Sequence, residues 1–183
     1  MGLLFIGFVT LVVGLFGIDL YANDAVTEWI SGSLYAVALF GGLAIGLVAI
    51  FAYKANSNFG ASTFGWVSLS LLLVAAFGGA FADLFSFSFS NSWVLWIVVT
   101  IFYFVFAAWA FLAGTPKLLI AILIVTALVF LFLGLANNAD TLDSMKTMFL
   151  LMGIFGVIDF ILATYLGLAL TEECARCGKL KVF

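Results

Sequence analysis

The chain has 183 residues, of which 67% are hydrophobic and 8% charged, with a net charge of −3 and no histidine; its mean hydropathy is +1.36. A soluble domain of this size carries roughly 45–50% apolar residues and cannot hide so large an excess. A pI near 4.5 without a basic cluster argues against nucleic acid as a partner, and the lack of histidine or of a nucleophile beside a base argues against an enzyme.

Backbone groups left unpaired in hydrocarbon cost several kcal/mol each, so a chain of this composition crosses lipid as helices or as a closed barrel. Long apolar runs without strict alternation select helices. Six spans are predicted: Gly2 to Ile18, Ile30 to Tyr53, Phe64 to Ala82, Trp93 to Ala113, Leu118 to Ala136 and Met148 to Leu170. Each fits the roughly 17–25 residues that cross about 30 Å. The breaks between them carry the turn and charge signals of a water boundary: Asp19 to Glu28, Lys54 to Ser62, Asp83 to Ser92, Gly114 to Lys117 and Asn137 to Lys146. Residues 1–170 thus form a transmembrane domain and residues 171–183 a tail.

The first span starts without a cation, and Asp19-Leu20-Tyr21-Ala22 is a poor cleavage site, so it is expected to be a retained helix and not a signal peptide. Gly7, Thr10, Gly14 and Gly17 step by three and four residues, which places them on one face, where small residues let another helix approach. Gly42 and Gly46 make the same kind of motif on the second span. Between the second and third spans, Tyr53 to Phe64 mixes interface anchors, amides and a glycine, with Ser62 or Thr63 as the expected helix cap. Such a helix start can attract a carboxylate; the alternative is a plain interfacial turn.

Tyr103 of the fourth span and Thr126 of the fifth fall near mid-span, as does Thr10 of the first. In the sixth span Gly156, Asp159, Ala163 and Gly167 repeat the small-residue stripe, and Asp159 is its one deep carboxylate. An aspartate at the bilayer centre costs roughly 2.5–3.5 kcal/mol on insertion scales, so it needs a reason. Either it faces a water-filled path and titrates as solute passes, or it is a protonated side chain bonded to a neighbouring helix as packing glue. The four residues form a polar girdle at one depth, where transporter sites often lie; alternatively each hydroxyl bonds back to its own helix. The chain holds 22 phenylalanines, a residue suited to an apolar constriction as well as to lipid.

Lys54, Lys117, Arg176, Lys179 and Lys181 fall on one side and Lys146 alone on the other, opposite which Asp19, Asp24, Glu28, Asp83, Asp140 and Asp143 gather. The excess of cations predicts both ends in the cytoplasm of a plasma-membrane protein. In the tail, Cys174-Ala175-Arg176-Cys177-Gly178-Lys179 has the spacing of half a zinc knuckle, but four ligands are needed; two free thiols are the alternative, and no cofactor is expected.

The loop resembles the acetate uptake transporter family, also called the succinate-acetate permease family. That family has a Gly-Gly pair, then Tyr-Lys, Gly-Asn-Thr-Phe-Gly and Thr-Ala-Phe; here stand Phe40-Gly41-Gly42, Tyr53-Lys54, Asn56-Ser57-Asn58-Phe59-Gly60 and Ser62-Thr63-Phe64, in register without a gap. Gly114-Thr115-Pro116-Lys117, then Gly153, Gly156 and Tyr165, fit a second stretch. The resemblance implies a ring-shaped homo-hexamer of six-helix protomers, each with its own pore, moving acetate and related small carboxylates with protons.

Several features depart from that pattern. The family's Asn-Pro-Ala-Pro-Leu-Gly-Leu is missing apart from Gly2-Leu3, its glutamate before the Tyr is Ala52 and its glutamine is Ile45. Its constriction falls at Ile6 or Phe8, Val67 and Val129, and Asp159 replaces a small neutral residue. The expected substrate pathway comprises Thr10, Tyr53, Asn58, Phe59, Trp66, Tyr103, Thr126 and Asp159. The expected function is a channel or proton-linked transporter for small carboxylates. A channel for neutral solutes such as urea, amides or ammonia, and a non-transporting scaffold, stand as alternatives.

Overall fold

A computed structural model describes residues 2–23, 28–78 and 93–174. Among these there is no strand, and there are six helices: α1 (Gly2–Asn23), α2 (Glu28–Lys54), α3 (Asn58–Gly78), α4 (Trp93–Leu112), α5 (Lys117–Asn137) and α6 (Leu142–Cys174). Each contains an apolar stretch of 19 to 29 residues, long enough to cross the roughly 30 Å of a bilayer core. The outward faces carry Phe40, Leu47, Phe51 and Phe111, all more than half exposed. Water-soluble monomers rarely show contiguous apolar surface of this kind; the chain is a multi-pass membrane protein.

Two helix starts differ from the sequence reading. The third helix opens at Asn58 and not at Phe64, so Ser62 and Thr63 lie inside it and cap nothing. Asn56 takes a left-handed backbone (φ 59°) that ends α2, a conformation asparagine tolerates. Ser57 then accepts the Gly60 N–H at 3.3 Å and caps α3 in their place. The expected break from Lys54 to Ser62 is a turn of three residues, Ala55, Asn56 and Ser57. Likewise α6 opens at Leu142 and not at Met148, because Thr141 Oγ1 accepts the Ser144 N–H at 3.2 Å and Asp143 in the first turn favours the positive end of the helix dipole. At its other end α6 runs on through Leu170 to Cys174. α1 continues past Ile18 to Asn23. The break at Asp83 to Ser92 and the end of the third span lie outside the described residues, as does Cys177.

The backbones approach at α1–α2, α2–α3, α4–α5, α5–α6 and α6–α1, and side chains between α3 and α4 close the six into a ring. The α3–α4 seam is bridged by rings: Phe59 meets Trp109 edge-on at 5.1 Å, and Trp66 lies over Phe102 at 4.5 Å. At the α2–α3 contact, Ser68 donates across to the Gly42 carbonyl at 2.7 Å. The start of α1, the α2–α3 and α4–α5 turns with Lys54 and Lys117, and the late turns of α6 share one end of the ring, here the lysine end. Asp19, Asp140 and Asp143 mark the opposite, aspartate end.

The closest approach in the ring is α1 against α6, and glycine makes it. A Cβ on Gly14 would lie 3.0 Å from the Gly153 carbonyl oxygen, and one on Gly156 would lie 2.8 Å from that of Thr10. These neighbours are backbone and cannot swing aside. Gly156→Ala should therefore destabilise the protein by about 1–3 kcal/mol, whereas Gly65→Ala, whose nearest neighbour is 4.0 Å away, should be neutral or mildly stabilising. Thermal unfolding of the two variants in detergent separates them; equal melting temperatures would contradict this account of the α1–α6 contact.

Candidate functional site

The interior of the ring holds two cavities, one toward each end. The cavity toward the lysine end has a volume of about 280 Å³ and is lined by Leu3, Ile6, Ser57, Phe59, Thr63, Val67, Tyr103, Leu123 and Thr126, among others. The cavity toward the aspartate end, about 290 Å³, draws on all six helices, with Val13, Phe16, Tyr35, Leu71, Trp96, Val129, Phe130 and Asn137 in its wall. Among the described residues, no charged side chain lines either one. The polar groups facing inward are hydroxyls and one amide.

What separates the cavities is thin. Val67 lines one and Leu71 the other; on α5, Thr126 lines one and Phe130 the other. In each pair the residues are four positions apart, about 6 Å along a helix. Filling this layer is a stack of three rings. Phe130 lies nearly parallel to Tyr103, with centroids 5.4 Å apart, and to Trp96 at 5.9 Å. All three rings are buried.

Behind the stack, hydroxyl groups tie neighbouring helices together. Thr126 Oγ1 lies 3.0 Å from Asp159 Oδ2 and 2.9 Å from the Ile122 carbonyl oxygen. A hydroxyl carries one hydrogen and cannot serve both acceptors fully. Its hydrogen is shared between the Ile122 carbonyl of its own helix and the Asp159 carboxyl, which joins α5 to α6. Asp159 is wholly buried and lines neither cavity, and its Oδ1 has no partner among the described residues. On the other side Ser70 donates to the Trp66 carbonyl of its own helix at 2.9 Å.

The residues expected to form a pathway divide into three groups. Tyr103, Thr126 and Phe59 line the lysine-end cavity, and Asp159 is held against it by Thr126. Thr10 is buried but bonds back to Ile6 and Gly7 of its own helix, both at 3.1 Å, and Trp66 lies in the α3–α4 seam with its indole N–H buried and without a partner among the described residues. Tyr53 and Asn58 are exposed near the turn. Of the expected constriction, Ile6 and Val67 line one cavity and Val129 the other, while Phe8 points outward from α1 and is 55% exposed.

Reading the sequence missed Trp96 and Phe130, the two rings that with Tyr103 fill the dividing layer. A signal was present: Trp96 and Tyr103 are seven residues apart on α4, and Thr126 and Phe130 four apart on α5, so each pair shares a helix face. Thr63, Val67 and Ser70 line up on α3 in the same way. No protein-family model, curated protein or solved structure matches the chain.

The bond between Thr126 and Asp159 can be weighed directly. A double-mutant cycle of Thr126→Val and Asp159→Leu should return a coupling of roughly 0.6–1.7 kcal/mol, the range for interhelical bonds in lipid, when unfolding is followed in detergent. Asp159→Asn, whose amide oxygen still accepts from Thr126, should melt within about 3 °C of the parent. Zero coupling would mean that the two side chains are energetically indifferent to each other.

Proposed function

We propose that the protein is a membrane passage for small uncharged solutes, of the class of urea, simple amides and ammonia, with the neutral acid form of acetate as the second candidate. The observation that carries this reading is the pair of cavities inside the ring, facing opposite ends and separated by about one helical turn of aromatic side chains. An anion leaving water for a wall without a cation loses several kcal/mol of solvation that nothing returns. A neutral solute gives up only hydrogen bonds, and hydroxyls spaced along the wall replace some of them.

The carboxylate reading is favoured by a different observation, the resemblance of the Tyr53 to Phe64 segment to the acetate uptake transporters. It fits the same interior if the carboxylate crosses with a proton, as an acid. In this reading the lysine end faces the cytoplasm of the plasma membrane, following the distribution of Lys54 and Lys117, and six copies assemble as the resemblance implies. Catalysis has no part in it. A scaffold without transport is the third possibility and makes a clean contrast.

Purified protein in liposomes distinguishes the three. Urea and acetamide should enter faster than into protein-free vesicles. Protein-dependent acetate entry should rise as the pH falls, because the neutral acid becomes more abundant; acetate entry that is insensitive to pH would speak for passage of the anion. Flux of none of these solutes would leave the scaffold. Phe130→Ala, which removes the central ring of the dividing layer, should raise flux several-fold and admit longer amides, and an unchanged flux would place the path elsewhere.

A further inference from the structure

The aspartate-end cavity is a poor resting place for a polar solute. Apart from Tyr35 and Asn137, every described residue in its wall is hydrophobic, Phe16, Phe130, Phe149 and Met152 among them. A urea molecule passing through finds little there to bond to. An apolar body finds a surface that water hydrates poorly, since genuinely empty cavities are the apolar ones. The wall takes residues from all six helices, so the cavity belongs to the interior of the ring and not to a groove on its outer side.

The dimensions of the cavity set the size of an occupant. An apolar cavity of about 150 Å³ holds one benzene. At about 290 Å³ this one has room for roughly twice that body. On α5, Phe130 lies at the inner end of the wall and Asn137 at the outer end, seven residues apart and thus about 10 Å along the helix. A saturated chain of roughly eight carbons, with bonds of about 1.5 Å, spans that distance. Asn137 is exposed and gives one amide hydrogen to the Leu133 carbonyl at 2.8 Å. Its amide group has a second hydrogen and an oxygen with which to meet a polar head.

We infer that the aspartate-end cavity binds a small amphiphile, an apolar chain or ring of that length with a single hydroxyl head. The body lies against Phe16, Leu71, Phe130 and Met152, and the head lies at Asn137. Such a molecule also dissolves in the bilayer, so the hydrophobic effect alone does not hold it here. The void does: lipid closes behind a solute that leaves it, whereas the walls of a preformed cavity regain dispersion contacts that they otherwise lack. The site stands whether or not anything crosses the ring; where a solute does cross, the occupant lies in its way.

The test uses the full chain in liposomes and an octanol carrying a diazirine, which on illumination attaches to the residues around it; the attachment sites are read by mass spectrometry. Label should concentrate in residues 129–137 and 149–152. Excess plain octanol should lower it there severalfold and leave any label on the outward Phe40 and Phe111 unchanged. Competition should strengthen about fourfold per methylene from butanol to octanol, as the burial of each CH₂ predicts, and level off in alcohols longer than the cavity. Val74→Phe adds a ring to the wall and should cut the cavity label severalfold, whereas Leu47→Phe, on the outer face of α2, should not. Cavity label that octanol does not displace, or that Val74→Phe leaves unchanged, would overturn the site, as would label on the outward faces alone. Should Val74→Phe fail to insert, Ala38→Leu is read by the same criterion.

Discussion

Six helices side by side have an interior only if the first and the last of them meet, and here they meet through glycine. Bulkier residues would hold α1 and α6 apart, because helices with ordinary side chains pack 8–10 Å between axes. With Gly14 facing the Gly153 carbonyl and Gly156 facing that of Thr10, the backbones themselves are in contact. In lipid no hydrophobic effect pulls helices together, so close packing of this kind is a main source of cohesion. The α3–α4 seam is built on the opposite plan, with large aromatic rings between the helices. The ring is thus tight on one side and filled by side chains on another.

That asymmetry has a bearing on what the interior can do. Backbone-to-backbone contact admits few alternative arrangements, whereas rings such as Trp66, Phe102 and Phe106 can exchange rotamers without unpacking a helix. The dividing layer between the cavities, Trp96, Phe130 and Tyr103, is attached to α4 and α5, on the aromatic side. Opening of the layer, which the proposed passage requires, would fall where the structure is held by side chains, with the α1–α6 contact as its rigid side.

Much of the fold was legible in the sequence, because the bilayer leaves few options: unbroken apolar runs of about 20 residues fix the number of crossings, and glycine spacing announced the faces of α1 and α6. The turn after α2 was misread for a local reason. Ser57 and Ser62 are both plausible caps, and only the left-handed Asn56 and the resulting direction of the chain select the first. The interior was harder. Periodicity shows that Tyr103 and Thr126 sit at one depth, but in a membrane helix both the lipid face and the core are apolar, so the pattern that separates inside from outside in a soluble protein is missing. Phe8 and Phe130 look alike in the sequence; one points outward from α1 and the other divides the cavities. Thr10 and Thr63 look alike too, and only coordinates tell which hydroxyl is committed to its own helix.

The placement of Asp159 ties these points together. A carboxyl at this depth would dominate the field of the interior if it were charged and faced a cavity, since interactions strengthen as the local dielectric constant falls. It does not face one. Thr126 stands between it and the lysine-end cavity and donates to its Oδ2. The arrangement gives α5 and α6 a bond across their interface and keeps a net charge off the wall. A passage for neutral molecules needs a wall of that kind, polar enough to replace the hydrogen bonds a solute leaves behind and uncharged enough not to trap ions from either side.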